Sequence, residues 1–176
     1  GSEGTLGVIT AATLKVFPKP KNMYTALLSI DSPKQSIDIL NYIRNNLSIP
    51  LTAFELMNNF SIELVNKHMD KASIPIEKFK WLILVEFSSI EVSKNEKDKI
   101  ENLLNKILHQ NLANDIFVSQ SSKQAKDMWY IRESISEAQK KEGGSIKNDI
   151  SIPIKDISKF INYAEKISKK VIPGSR

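Results

Sequence analysis

The 176 residues contain no cysteine. That excludes disulfides, thiolate metal sites and cysteine nucleophiles, and it fits a cytoplasmic protein, with peripheral membrane association as a variant of that expectation. Histidine occurs only at His68 and His109. Each stands alone in a helical run without a ligand-spaced partner, so no metal site is expected within the chain. A Ser–His–Asp triad has no nucleophile elbow to anchor it. No apolar run approaches the ~18 residues of a membrane span; "WLILV" at 81–85 is only strand-sized. No stretch reads as a secretory signal. The formal net charge is +5, which would suit an anionic partner. The lysines are scattered among acids, however ("KNEKDK", "SKQAKD", "EKISKK"), with no basic stripe interleaved with aromatics, so nucleic acid is not an expected partner.

What is present reads as one domain, or one domain with a short appendage. Residues 6–17, "LGVITAATLKVF", alternate loosely and predict one or two short strands. "PKPK" at 18–21 then makes an extended connector and a domain boundary. Beyond it, strand and helix patterns alternate. Strands are predicted at 23–30, 52–57, 80–88, 115–120 and 146–154. "SPKQ" (32–35), "SKNE" (93–96) and "SSKQ" (121–124) read as helix starts. Gly143 and Gly144 end the helix that "SSKQ" begins. Ile62, Val65 and Met69 mark another helix, and Ile157, Phe160, Ile161, Ala164 and Ile167 mark a last amphipathic one. Periodicity alone leaves two architectures open: an α/β fold with a parallel sheet, or two ferredoxin-like βαβ units sharing an antiparallel sheet.

Glycine is scarce, and its distribution is uneven. Three of the six glycines lie in the first seven residues, "GSEGTLG". Backbone without Cβ atoms can approach a ligand closely. Yet neither a P-loop nor a GxGxxG fingerprint is present, so spacing alone reads this stretch as a turn. A second candidate is "WYIRESISEAQKKEGGSIKNDISIPI" (129–154). Arg132 and Ser136 are one turn apart on a helix face. Strand alternation places Lys147 on a polar face with Asp149 and Ser151. If helix and strand are neighbours, Arg132, Ser136 and Lys147 converge, and an arginine fork with a lysine is a clamp for a carboxylate. The alternative is an ordinary solvated helix beside a solvated strand face. Glu55, in the apolar strand "TAFELM", is expected to be salt-bridged or at a sheet edge.

These two stretches together carry a resemblance. "GSEGTLGVITAATLKVFPKP" resembles the end of the FAD-binding domain of FAD-linked oxidases of the vanillyl-alcohol oxidase type. "FELMNN" and "MWYIRESISEAQKKEGGSIKNDISIPIKDISKFI" resemble the substrate domain that follows it, most closely in the D-2-hydroxy-acid (D-lactate, glycolate, D-2-hydroxyglutarate) dehydrogenases. The resemblance implies an α+β fold, an antiparallel sheet with helices packed on it. Residues 1–18 would be the terminal segment of the FAD-binding domain, and 19–176 a truncated substrate (cap) domain. It further implies that Ser2, Glu3, Gly4, Thr5, Leu6, Gly7, Val8 and Ile9 lie along the flavin. Arg132, Ser136 and Lys147 would hold the substrate carboxylate, while hydride leaves C2 for the flavin.

The family's glycine-rich pyrophosphate loop and its His-x-Gly-Asp-Gly-Asn-x-His metal motif do not occur in these residues. The chain is therefore expected to be a substrate-binding fragment with no catalytic or metal-ligating residue of its own. FAD belongs to the intact enzyme, and any divalent metal would be bound by residues beyond this chain. A separate flavin domain or an electron acceptor is the expected protein partner. The competing expectation is a non-catalytic remnant or interaction module from a split or decaying gene.

Overall fold

The computed structural model of the chain describes residues 4–69, 75–90 and 95–175. Its elements run β1 (Asn22–Ile30), α1 (Pro33–Asn46), β2 (Leu51–Asn58), α2 (Asn59–His68), β3 (Trp81–Ser89), α3 (Glu96–His109), β4 (Asp115–Val118), α4 (Ser122–Glu142) and α5 (Ile157–Val171), with a 3-10 turn at Ile154–Asp156 before α5. The four strands form one sheet in the order β2-β3-β1-β4. Every neighbouring pair is antiparallel. The two units β1-α1-β2 and β3-α3-β4 each leave a gap that the first strand of the other fills, the split βαβ arrangement. The fold is thus α+β with ferredoxin-like units, as expected.

Both faces of this sheet are covered, which explains the near-continuous apolar runs in β1 and β3. Ala26, Leu28 and Ile30 of β1 and Ile83, Val85 and Phe87 of β3 pack on one side against Ile39 and Ile43 of α1 and Ile100, Leu104 and Ile107 of α3. Leu27, Leu82 and Leu84 point the other way, toward Ile62 and Val65 of α2 and Met128, Ile131 and Ala138 of α4. A strand with one wet face would alternate; these cannot.

Local signals account for most helix ends. Ser32 accepts from the Gln35 backbone N–H, Gln35 reciprocates, and Pro33 opens α1, a complete capping box. Asn58 caps α2 through Ser61, and Ser121 caps α4 through Gln124. Gly143 stops α4 at φ +144, a conformation that favours glycine. The capping box expected at "SKNE" (93–96) rests on residues that are only partly described. Ser93 and Lys94 lie outside the described residues, and Asn95 is the N-cap without a side-chain cap bond. Glu96 and Asp98 in the first turn complement the helix dipole instead.

Two predicted strands are not strands. Residues 7–20 carry no secondary structure and are exposed throughout. Residues 146–153 likewise run unpaired, with Ile146 76% and Ile150 53% exposed. Alternation describes which side chains share a face; it does not supply the neighbouring backbone whose N–H and C=O groups make a strand. In place of a fifth strand, the chain reaches α5, which packs lightly on α1 and buries none of its residues fully. In urea denaturation, Leu84→Ala should lower unfolding free energy by about 2–5 kcal/mol. Ile150→Ala should change it by less than about 0.5 kcal/mol. Comparable losses from both would place 146–153 in the core and contradict this fold.

Candidate functional site

α4 is the element on which the candidate site depends. Met128, Ile131, Ser134 and Ala138 form its buried stripe against the sheet and α2. At 100° per residue, Trp129, Arg132 and Ser136 share the flank beside that stripe. That flank meets two carboxylates standing on the sheet face. Glu86 of β3 is only 8% exposed. Trp129 Nε1 donates to its Oε2 at 2.8 Å, and Thr25 Oγ1 donates to the same oxygen at 3.5 Å. Glu55 of β2 lies diagonal to it, since Ala53 pairs with Glu86 and Glu55 with Leu84. Arg132 Nε donates to Glu55 Oε2 at 3.1 Å.

The far end of α4 is tied to α2. Lys67 Nζ donates to Glu142 Oε2 at 2.7 Å, and His68 Nε2 meets the same oxygen. Lys141 Nζ donates to the backbone carbonyl of His68. The hydrogen bonds from Lys67 and His68 hold the Glu142 carboxyl below its ordinary 4.5. A depressed carboxylate stabilises the fold above its unfolded pKa, and the contribution is lost as pH falls through the folded one. The Glu142 carboxylate's share of this tie is therefore fully present at neutral pH and is lost only as that carboxylate is protonated in acid.

The predicted site residues divide into three groups. Arg132 and Ser136 lie on one flank of α4, both exposed. Lys147 is exposed on the segment that follows Gly143, and among the described residues it forms no ion pair. The structure does not bring it into contact with the other two, because the strand expected to carry it is absent. Gly4, Thr5, Leu6, Gly7, Val8 and Ile9 are exposed, and Ser2 and Glu3 lie outside the described residues. Glu55 is both salt-bridged and on an edge strand, as its sequence setting suggested. Its partner, Arg132, is 77 residues away in sequence, a pairing that local spacing does not indicate. Glu86 and Trp129 were missed; the signal was a lone carboxylate inside the buried run "WLILVEFSS".

A cavity lies elsewhere. A groove of about 320 Å³ between α1, β2 and the start of α5 is walled by Leu40, Leu51, Phe54, Leu56 and Ile157. It opens on the α1 side of the sheet, opposite Arg132, and among the described residues Arg44 is the sole charged one in its lining.

The sequence profile of the family described as "FAD linked oxidases, C-terminal domain" matches residues 19–172. The chain belongs to that family. A mitochondrial D-2-hydroxyglutarate dehydrogenase of Arabidopsis thaliana is 32% identical over 163 residues, 92% of this chain and 29% of that protein. One from Danio rerio is 33% identical over 157 residues, 89% of this chain and 29% of that protein. A mitochondrial protein of Schizosaccharomyces pombe, provisionally named a D-lactate dehydrogenase, is 29% identical over 167 residues, 94% of this chain and 32% of that protein. The chain spans less than a third of the length of these relatives. No helix of this FAD-linked oxidase domain, among the described residues, is long and apolar enough to cross a membrane.

Replacing Trp129 by Phe keeps the ring and removes the donor to a buried carboxylate. It should cost about 1–3 kcal/mol in urea denaturation. An unchanged midpoint would show that Glu86 does not depend on the indole.

Proposed function

We propose that the chain is the substrate-binding part of an FAD-dependent oxidoreductase that oxidises a small D-2-hydroxy acid: lactate, glycolate or 2-hydroxyglutarate. Arg132 and Lys147 hold the substrate carboxylate, and Ser136 orients it. Membership of the FAD-linked oxidase family and the names of the relatives support the reaction class. The observation that carries the residue assignment is the state of Arg132. Its side chain is 43% exposed, and only Nε is engaged, so Nη1 and Nη2 make no hydrogen bond among the described residues. A guanidinium with its terminal edge open to solvent can take a carboxylate through two parallel N–H···O bonds. Ser136, one turn on, is exposed on the same flank of α4. Lys147 adds the positive charge that Glu55 cancels on Arg132.

FAD, when bound, supplies the hydride acceptor. Gly4 and Gly7 suit one edge of such a site: their backbone is bare, and nothing stands within 4 Å of where a Cβ would be. Residues Ser2–Ile9 are assigned to that edge. It is a small part of a flavin's contact surface, so the chain alone should neither retain FAD nor turn over. A divalent metal, where the intact enzyme uses one, is assigned to residues outside this chain; the described residues gather no three His, Cys, Asp or Glu as a ligand set. A separate flavin domain or electron acceptor is the protein partner this division of labour requires. The lack of cysteine suits the cytoplasm and equally the reducing interior that the relatives' mitochondrial names indicate for them.

Two measurements test this reading. After incubation with FAD and desalting, the chain should show no flavin absorption band; a retained yellow band would contradict the assignment of most flavin contacts elsewhere. Titration with D-lactate should show binding that Arg132→Ala weakens about tenfold or more, as expected for loss of a charge-assisted fork worth about 1.5–3 kcal/mol. Equal binding by both proteins would remove Arg132 from the site.

A further inference from the structure

We infer that Glu55 is a positioning residue for Arg132: it grips the guanidinium at Nε and leaves the terminal Nη edge outward for the ligand carboxylate. The inference rests on the assignment of Arg132 to carboxylate binding and says how the arginine is held ready. It starts from an oddity. An arginine assigned to a substrate carboxylate already has a carboxylate of its own, at 3.1 Å.

Two physical roles are open to such a partner. A competitor would occupy the fork, and the ligand would have to displace it. A holder would bond the guanidinium elsewhere. The geometry distinguishes them, because Glu55 accepts from Nε alone. Of the five guanidinium N–H groups, the four on Nη1 and Nη2 remain for the ligand. The contact also works against the entropy of a long side chain, since a free arginine loses roughly 2 kcal/mol of rotamer freedom when a ligand fixes it.

The holder is itself well placed. Glu55 sits on the edge strand β2, whose pairing with β3 fixes its position directly beside Leu84. Three residues before Arg132, Trp129 is bonded to the buried Glu86 on the adjoining strand. α4 therefore meets the sheet through two donor–carboxylate contacts on the same flank, one buried and one at the rim. The buried contact sets the rotation of the helix. The rim contact sets the direction of the arginine. Ser136 needs no such holder, because a serine has a single χ angle and its direction follows the helix.

Side-chain NMR of Arg132 in the 176-residue chain tests this, with D-lactate as the probe. In the wild type, the Nε–H should exchange with water at least fivefold more slowly than in Glu55→Ala. Glu55→Gln, which keeps an acceptor oxygen, should retain most of that protection. Adding D-lactate to the wild type should shift the Nη signals and leave the Nε–H protected. An Nε–H that exchanges equally fast with and without Glu55 would overturn the inference. So would protection that vanishes on adding D-lactate, because Glu55 would then be a competitor. Nη signals that stay put at saturating D-lactate, with Nε–H protection still dependent on Glu55, would instead overturn the carboxylate reading of the site and the ligand half of this inference with it. The backbone spectrum of each variant reports folding, and Glu55→Gln carries the test if Glu55→Ala does not fold.

Discussion

The nine-residue antiparallel ladder between β1 and β3 is the constraint on which the rest of the molecule depends. These are the two central strands, and each belongs to a different βαβ unit. Pairing them joins the units and leaves one edge for β2 and the other for β4. It also creates two apolar faces at once, and each must be covered. α1 and α3 cover one because they are the crossovers of the two units. α2 and α4 cover the other, and α4 arrives there from outside the repeat. The element that carries Arg132 and Ser136 is therefore held in place by the need to bury Leu27, Leu82 and Leu84.

That origin explains the mixed character of the sheet face under α4. Apolar residues occupy the part that α2 and α4 cover fully. Toward the end of the strands where Thr25 pairs with Glu86, the face turns polar: Thr25 and Glu86 are buried on the two central strands, and Glu55 stands diagonal to Glu86 on the β2 edge. A buried carboxylate such as Glu86 is costly unless its oxygens are bonded, and Trp129 provides the main bond. Glu55 is about one-third exposed, so water shares the work and its pairing with Arg132 is correspondingly cheap to form and modest in strength. A modest contact of this kind can direct a side chain without locking it.

Much of this was legible in the chain itself. The capping box at Ser32–Gln35, the serine cap of α4 and the glycine stop at Gly143 are short-range features, settled by residues that touch each other in sequence. The two central strands were legible because burial on both faces leaves near-continuous apolar runs, and the two edge strands because their short apolar stretches have strand composition. The strand order was not, since alternation of strand and helix suits a parallel sheet equally well. The two failures, at 6–17 and 146–154, share a cause. Both segments have the composition of strands, and neither meets a partner backbone in this fold. The geometry of the candidate site was legible only by half for a related reason. Arg132 and Ser136 are one turn apart and need nothing but a helix to be brought together. The ties that orient them, Glu55 and Glu86, come from strands 77 and 43 residues away in sequence.

Gly143 has a further consequence. The helix ends there, about 16 Å along its axis from Arg132, and the chain to Lys147 can extend no more than about 14 Å. Adding the reach of the two side chains, an ammonium group on this leash can return to the level of Arg132 and cannot travel far beyond it. Lys147 is thus kept within reach of Arg132 by its tether, at a local concentration on the order of millimolar. In the proposed clamp, the arginine half is held by the sheet and the lysine half is rationed by four residues of backbone.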